Sequence, residues 1–443
     1  MPRHAKSRRL NVWMNGEMVG QWLIRAQGQH SFHYEEEWLA SPAVRPISLS
    51  MPLRPPDAPY VGPRVEAFFD NLLPDSSDIR RRVQTRFETP SSSPFDLLAA
   101  IGRDCAGAIQ LLPAEQRPEG FNQIRGEALT ADGVAAALRA VVSATPFGQQ
   151  SDEPFRISIA GAQEKTALLW HKGSWHRPAD ATPSTHIFKL PLGSVGISQL
   201  DLSTSVENEW LCAQILGAFG LDVAHCEIAD FDDQHTLIVQ RFDRRLARNG
   251  NWWMRLPQED MCQATGTPPA QKYESQGGPG ILEINSLLLG SRRSDTDRRD
   301  FFRTQVVFWM LCAIDGHAKN FSVSIEPQGR FALTPLYDIL SAYPVLGVGK
   351  RQLAPKKATM AMAVTGKNRH YRWAEIQPRH WLSTAEDCGL AENARQEIVA
   401  LAERAKIVTE VVSGALPRGF PDHVAQPIFD GLLSAAKRLK ALA

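Results

Sequence analysis

Apolar and polar residues alternate in short runs over the first part of the chain, which is typical of β-strands. Residues 12–14 and 19–24 flank Asn15 and Gly16, a dipeptide typical of a two-residue hairpin turn. Further elements predicted here are helices around residues 68–73 and 94–98, a strand over residues 107–112 and a helix over residues 130–142. We therefore expect a β-rich N-terminal subdomain over residues 1–118, with a linker at residues 113–119.

Short strands also dominate the next part of the chain, around one helix. The strands are predicted over residues 155–159, 166–170, 186–190 and 237–242, and the helix over residues 205–219. After Arg248 the pattern is mainly helical as far as Ala443. The sequence therefore predicts an α+β, two-lobed protein-kinase-like fold, with a β-rich small lobe over residues 119–246 and a mainly α-helical large lobe over residues 247–443.

The composition is ordinary for a globular protein. The chain has 443 residues, enough for two or three domains, and its formal charge of +1 gives no sign of a nucleic-acid or membrane partner. Its six cysteines include no CxxC pair, which favours a reducing compartment. No apolar stretch follows the basic N-terminus, and the apolar run at residues 306–314 is too short to cross a bilayer. We expect a cytoplasmic protein without membrane contact.

Three polar residues carry the strongest chemical signal. Asp315 and Asn320 are five residues apart, and Asp338 follows them. In the catalytic loop of protein kinases, an Asp accepts the proton of the substrate hydroxyl, an Asn five residues later holds magnesium, and a later Asp holds the metal against the ATP phosphates. Taken singly, each residue is better explained as a cap or turn residue, since Asp and Asn often bond to nearby backbone.

The surroundings of these residues favour the catalytic interpretation. Residues 306–314 predict a buried helix that arrives at a turn made by Asp315 and Gly316. After Asn320, two alternating segments separated by residues 326–329 predict a hairpin, with Asp338 just beyond it. Because a hairpin returns the chain to its starting point, Asp338 can face Asn320 across one metal site.

A loop of small residues between predicted strands is a candidate phosphate-binding site. Small side chains let backbone N–H groups approach a phosphate, and a lysine adds positive charge. The candidate nucleotide-binding residues of this loop are Ala160, Gly161, Ala162, Gln163, Glu164 and Lys165. A plain hairpin turn with an exposed lysine is the alternative.

Lys189 is a lone cation in an apolar strand, a costly position without a partner. In a kinase the strand lysine contacts phosphate and pairs with a glutamate on the following helix. Glu209 is the better placed candidate for that glutamate, and Glu207 is its rival. Alternatively, Lys189 extends along the edge of the sheet to reach solvent.

The strand over residues 237–242 leaves the small lobe where a kinase hinge would lie, so backbone groups at Gln240 and Phe242 are candidates for adenine contacts. Four arginines in or near this segment are expected to be solvated charges or ion-pair partners rather than nucleotide contacts. They are Arg241, Arg244, Arg245 and Arg248.

Motifs spread over nearly the whole chain resemble those of the HipA family, serine/threonine kinase toxins of bacterial type II toxin-antitoxin modules. The matching segments are residues 69–76, 94–98, 101–104, 160–166, 185–187, 189–191, 241–245, 256–263 and 315–322. The resemblance implies ATP and Mg²⁺ as cofactors, with Asp315 as catalytic base, Asn320 and Asp338 as magnesium ligands, Lys189 as a phosphate contact and His317 beside the nucleotide.

The same resemblance implies that Ser158 is an autophosphorylation site, whose modification ejects the phosphate-binding loop and inactivates the kinase. A dianion beside a loop built for another phosphate would be repelled. The alternative is a strand serine that bonds locally.

The resemblance also implies partners: a HipB-type helix-turn-helix antitoxin dimer, operator DNA bound through that complex, and glutamyl-tRNA synthetase as protein substrate. Two features depart from the family pattern, namely Gln240 in place of a glutamate and the basic N-terminal extension. A corepressor that has lost kinase chemistry and a small-molecule phosphotransferase are the rival functions.

Residues 339–374 contain seven Lys or Arg and no acid. A nucleic-acid contact would use such a surface. An ordinary solvated loop balanced by acids elsewhere is an equally good interpretation.

Overall fold

The computed structural model describes residues 8–25, 27–142, 157–158, 160, 163–196 and 199–442. The first part of the chain contains β1 (Arg8–Met14), β2 (Glu17–Ile24), β3 (His30–Tyr34), α1 (Glu36–Ala40), β4 (Tyr60–Val61), α2 (Pro63–Asp70), α3 (Ser77–Phe87), α4 (Pro94–Ile101), β5 (Asp104–Cys105) and β6 (Ile109–Pro113). The middle part contains β7 (Gly126–Leu129), α5 (Ala131–Val142), β8 (Ile157–Ser158), β9 (Lys165–His171), β10 (Ser174–Pro178), β11 (His186–Lys189), β12 (Gly193–Val195), β13 (Leu200–Leu202), α6 (Ser205–Ala218), β14 (Cys226–Phe231) and β15 (Gln234–Gln240). The last part contains β16 (Arg244–Leu246), β17 (Trp253–Arg255), β18 (Gln258–Asp260), α7 (Met261–Thr265), α8 (Ile281–Leu287), α9 (Ser294–Met310), β19 (Ser322–Ile325), β20 (Phe331–Leu333), β21 (Thr359–Thr365), β22 (Arg369–Arg372), α10 (Pro378–Asp387), α11 (Ala391–Gly414) and α12 (Asp422–Leu439).

The N-terminal region is a five-stranded sheet in the order β4-β3-β2-β1-β6, covered by helices. Asn15 and Gly16 connect β1 and β2 with φ of 48° and 88°, the left-handed conformations that a tight hairpin turn requires. The predicted hairpin is therefore confirmed. Trp22 on β2 stacks on Phe69 of α2, with ring centroids 4.1 Å apart, and this contact packs the helix on the sheet.

The middle region is a six-stranded antiparallel sheet in the order β14-β15-β11-β9-β10-β7. The register places Lys189 of β11 between Lys165 of β9 and Leu237 of β15. Helix α6 packs against β14 and β15. The sheet therefore brings two predicted phosphate contacts, Lys165 and Lys189, to neighbouring positions.

Part of the strand predicted over residues 155–159 lies within the described chain, as β8 (Ile157–Ser158). Ser158 lies in β8, which pairs in parallel with β5 of the N-terminal region in the register Cys105 to Ser158. Only two residues of β8 make this pairing, and their partners are about fifty residues earlier, so no local pattern could reveal it.

The largest core lies mainly among α8, α9, α11 and α12 of the last region, and α6 of the middle region packs into it. Helix α9 begins at Ser294 and ends at Met310, whereas the apolar run predicted a helix as far as residue 314. The chain leaves the helix because Cys312 adopts a φ of 49°. The strands β17, β18, β21 and β22 also interrupt the mainly helical pattern that was predicted after Arg248.

All six cysteines are buried and none forms a disulfide. Burial raises the pKa of every one of these thiols. Within the described part of the chain, no helix is both long and apolar enough to cross a membrane. The domain boundaries near residues 118 and 246 stay predictions.

Candidate active site

One cavity collects most of the predicted site residues from the sheet, the helical region and the N-terminal region. The predicted residues that line it are Ala160, Gln163, Lys165, Lys189, Gln240, Phe242, Asp315, His317, Asn320 and Asp338. Glu164 is absent from this lining because its carboxylate accepts a hydrogen bond from Arg82 of α3. Gly161 and Ala162 lie outside the described residues.

Lys189 is buried at the centre of a charge network. Its Nζ lies 2.5 Å from Glu209 Oε1 of α6 and also bonds Asp338 Oδ1. Lys189 is only 4% exposed, so the alternative of a lysine that reaches solvent is wrong. The rival Glu207 lies 3.2 Å from the imidazole of His235 instead. A buried ammonium needs such partners, because an unpaired charge in this position would be strongly unfavourable.

Asn320 and Asp338 lie together at the mouth of the β19–β20 hairpin. Asn320 Nδ2 donates to the backbone oxygen of Asp338 at 3.3 Å, and Asn320 Oδ1 accepts from the backbone N–H of His317 at 3.2 Å. Asp338 has a φ of 60°, a left-handed conformation that non-glycine residues seldom adopt. Such strained residues cluster at functional sites, where the surrounding structure holds them.

These residues fit a magnesium ion, although within the described chain there is no cluster of three His, Cys, Asp or Glu that could hold a metal. Magnesium takes oxygen ligands and commonly keeps waters and phosphate oxygens beside one or two protein ligands. The Asp338 carboxylate lines the cavity and already neighbours a cation, Lys189. Asn320 Oδ1 has a second lone pair beyond the one that accepts from His317.

Asp315 follows α9 and lies exposed at the edge of the cavity. Tyr273 Oη donates to Asp315 Oδ1 at 2.6 Å, and the tyrosine ring packs edge-on against His317, with centroids 5.1 Å apart. Burial and the charge of Asp315 raise the pKa of Tyr273, so its hydroxyl remains a donor. The carboxylate is therefore oriented, but remains open to an incoming group.

The segment between α2 and α3 contributes residues to this site that no motif predicted individually. Lys319 Nζ donates to Asn71 Oδ1 at 3.1 Å and lies 3.0 Å from Asp75 Oδ1, while Lys272 Nζ lies 2.8 Å from Asp75 Oδ2. Burial raises the pKa of Asp75, but Lys319 and Lys272 outweigh it and hold the value at about 2. Asp75 thus ties the loop after Asp315 to the N-terminal region. The only sequence signal was the family resemblance of residues 69–76.

Lys165 extends from β9 towards Lys189. Burial, followed by the neighbouring ammonium of Lys189, lowers the pKa of Lys165 to about 7. Gln163 Nε2 donates to the backbone oxygen of Leu190 at 2.6 Å and fixes the start of this strand. The alternative interpretation, a plain hairpin turn with Lys165 exposed, is therefore wrong for the described residues.

The hinge arginines fall into two classes. Arg241 and Arg244 are buried and bind Asp104 Oδ2 and Oδ1 at 3.3 and 3.0 Å, while Arg255 reaches the same carboxylate at 3.2 Å. Arg241 and Arg244 are therefore ion-pair partners, which is one of the two roles predicted for the hinge arginines. Arg245 and Arg248 are exposed. The cluster joins the hinge to β5 of the N-terminal region through Asp104.

Two family models match the chain, the HipA N-terminal domain over residues 10–112 and the HipA-like C-terminal domain over residues 157–411. The chain belongs to the HipA family. The protein Y4mE of Sinorhizobium fredii is 34% identical to it over 386 residues, which cover 86% of each chain. The Shewanella oneidensis protein named serine/threonine-protein kinase toxin HipA is 27% identical over 351 residues, 76% of each chain.

The fold of this HipA-family chain also matches a solved structure. The Shewanella oneidensis HipA, HipB and operator DNA complex contains a chain with a TM-score of 0.77 and 23% identity, and the match covers 98% of this chain and 99% of that one. This likeness confirms the predicted α+β, two-lobed kinase-like fold.

Ser158, the modification site implied by the HipA resemblance, is fully buried in the described structure. Its hydroxyl donates to the backbone oxygen of Leu72 at 2.8 Å, so it bonds to a residue 86 positions away rather than locally. The serine therefore lies beside the same α2–α3 segment that binds Lys319.

Proposed function

We propose that this HipA-family protein is an ATP- and magnesium-dependent serine/threonine protein kinase and the toxin of a type II toxin-antitoxin module. The convergence of Asp315, Asn320, Asp338 and the Lys189–Glu209 pair on one cavity carries this proposal. The name of the Shewanella relative, a serine/threonine-protein kinase toxin, supports it.

The chemistry proposed for the site assigns one role to each residue. Lys189, held by Glu209, would bind the phosphates, and Asn320 and Asp338 would hold magnesium. When bound, magnesium would neutralise negative charge on the phosphates. Asp315 accepts the proton of the serine hydroxyl as its oxygen bonds to the γ-phosphorus, and the bond to the β-phosphate oxygen breaks to release ADP. Ala160, Gln163 and Lys165 complete the phosphate site, and the backbone at Gln240 and Phe242 reads adenine.

The proposed partners and regulation follow the family. We propose a HipB-type antitoxin, operator DNA bound through that complex, autophosphorylation at Ser158 and glutamyl-tRNA synthetase as a substrate. The burial of Ser158 supports the regulatory step, because a phosphate dianion could not return to a site that bonds Leu72 in the protein interior.

Labelled ATP tests the kinase proposal directly. Incubation of the intact protein with magnesium and ATP labelled at the γ-phosphate is expected to label the protein, and chelation of magnesium to prevent it. Asp338→Ala is expected to abolish labelling and also the growth arrest caused by expression without antitoxin. Asp295→Ala, an exposed acid outside the cavity, is the matched control. Equal labelling of the protein and of the Asp338 variant would contradict the proposal.

Nucleotide affinity is expected to fall as the pH rises above about 7, the pKa of Lys165 in the nucleotide-free protein. Burial, Lys189 and Lys319 disfavour the charged form of this lysine, whereas Asp75 and Glu209 favour it. A bound triphosphate would favour the ammonium, so its binding takes up a proton above that pH and weakens as proton uptake becomes costly.

Calorimetry in two buffers with different ionisation enthalpies measures this proton uptake. Lys165→Met is expected to bind nucleotide more weakly and to lose this proton uptake. Unchanged proton uptake in the variant would show that another group is responsible.

A further inference from the structure

The first turn of α6 is anchored to three different parts of the molecule. Glu209 binds the ammonium of Lys189, and the side chain of Asn208 makes two hydrogen bonds of 2.8 Å with the backbone of Ser341. The third residue, Glu207, faces the β14–β15 hairpin. Because one helical turn links these three residues, a contact that fixes Glu207 also fixes the position of Glu209 opposite Lys189.

His235 on β15 is the residue that holds Glu207. Its Nε2 lies 3.2 Å from Glu207 Oε1, and its Nδ1 lies 2.6 Å from Asp230 Oδ1 on β14. A neutral imidazole carries one N–H and can donate to one of these carboxylates, whereas an imidazolium can donate to both. The arrangement of one acid at each ring nitrogen therefore favours the protonated form of His235.

The Glu207 carboxylate needs the charge of His235. The side chain of Glu207 is only 17% exposed, and its Oε2 is buried without a hydrogen-bond partner among the described residues. Helix α6 contains no basic residue that could supply a counter-charge. A largely buried carboxylate without a cation is unfavourable, so loss of the charge on His235 would weaken the hold on this turn.

The same segment of β15 also holds Lys189. Thr236, which follows His235, is fully buried, and its Oγ1 donates to the backbone oxygen of Lys189 at 2.9 Å. Strand β15 therefore contacts both partners of the lysine–glutamate pair, the lysine through Thr236 and the glutamate through His235 and the first turn of α6. Two adjacent residues of one strand help to set the distance between Lys189 and Glu209.

We infer that His235 is a positioning residue for phosphate transfer: as an imidazolium it binds Glu207 and so holds Glu209 where it can orient Lys189 for the phosphates. The inference rests on the proposed kinase function and adds a control of that site by pH. Histidine is the side chain that ordinarily changes its charge between pH 5 and 8. As the pH rises through that range, the pair with Glu207 is lost and nucleotide affinity falls.

The charges on the other neighbouring elements are already paired. Helix α5 packs on β14 and β15, but its cation Arg139 pairs with Asp232 and Asp233 in the turn between these strands. On β11, the other neighbour of β15, Lys189 has acid partners of its own. The groups that face the ring of His235 are therefore the carboxylates on α6 and β14.

Nucleotide affinity at two pH values tests this inference. The intact protein, His235→Asn and His235→Arg are titrated calorimetrically, with magnesium, with an ATP analogue that has an imido bridge between the β- and γ-phosphates. At about pH 6, His235→Asn is expected to bind about threefold to fivefold more weakly than the parent, and at about pH 8.5 equally well. His235→Arg keeps its charge, so it is expected to match the parent at about pH 6 and to bind about threefold to fivefold more tightly at about pH 8.5. The titrations of Lys165 and of the nucleotide are common to all three proteins and cancel in these ratios.

Two further variants separate positioning from a general loss of structure. His33→Asn is the matched control, because His33 also lies near an acid, Glu35 at 3.8 Å, but in the N-terminal sheet. It is expected to keep the parent affinity at both pH values. Glu207→Gln removes the carboxylate through which His235 acts, so the addition of His235→Asn to that variant is expected to change nucleotide affinity no further.

The outcomes distinguish this inference from the kinase function. If the parent protein neither binds the nucleotide nor transfers phosphate, the kinase function itself fails. If it does both, but the affinity ratios of the His235 variants to the parent are the same at the two pH values, the charge of His235 has no role and the inference is overturned. It is also overturned if His235→Asn lowers affinity by the same factor with and without Glu207→Gln.

Discussion

Asp315→Asn is expected to lower the rate of phosphate transfer by about 100-fold to 10,000-fold, the usual contribution of a general base. The asparagine keeps the size of the side chain and an oxygen that can accept from Tyr273 Oη, but it cannot take up the substrate proton. Because Asp315 is exposed, the thermal stability of the protein is expected to change little. Single-turnover labelling at saturating ATP measures the rate.

Tyr273→Phe provides the comparison for this variant. It removes the 2.6 Å hydrogen bond but leaves the carboxylate, so the rate is expected to fall only about tenfold, since a hydrogen bond to a charged group contributes roughly 1.5 kcal/mol. A rate for Asp315→Asn equal to that of the unsubstituted protein would exclude Asp315 as the base.

Asp104→Ala is expected to lower the free energy of unfolding by about 3–5 kcal/mol, the usual cost of removing one partner from a buried ion pair. The Asp104 carboxylate is buried and forms ion pairs with Arg241, Arg244 and Arg255. Burial raises the pKa of Asp104, but these three guanidinium groups outweigh it and hold the pKa well below its usual range. The variant removes the carboxylate that these three buried cations share, while Asp243 still pairs with Arg241 and Arg244. Urea denaturation measures the loss.

Glu375→Ala is the matched control for this prediction. Glu375 pairs with Arg372 at 3.0 Å, but both side chains are mostly exposed, and such surface pairs contribute roughly 0.2–1 kcal/mol. If both alanine variants lost the same small stability, Asp104 would not hold the cluster together.

The parts of the fold that were predictable are those encoded by neighbouring residues. Asn15 and Gly16 predict their hairpin because few dipeptides tolerate the left-handed turn. The interrupted alternation after Asn320 predicts β19 and β20, and therefore the return of Asp338 to the site. The five-residue spacing between Asp315 and Asn320 predicts a catalytic loop, because a short loop fixes the two side chains relative to each other.

The parts that were not predictable depend on residues far apart in the chain. The contact of Asp75 with Lys319 joins positions with no shared periodicity, as does the pairing of Ser158 with Cys105. Nothing in the sequence around Asp104 predicts that its carboxylate forms ion pairs with three arginines that follow residue 240. Such contacts arise only when the separate regions pack together, and they are the contacts that connect the N-terminal region to the site.

Because all six cysteines are buried in the folded protein, their reaction with alkylating reagents can be used to follow its opening. Alkylating reagents attack the thiolate, which is both shielded and disfavoured at every one of these sites in the native state. Maleimide or iodoacetamide will therefore modify the chain only as fast as it opens. The mass added over time reports the opening rate of the Asp104 variant against its parent, without any engineered label.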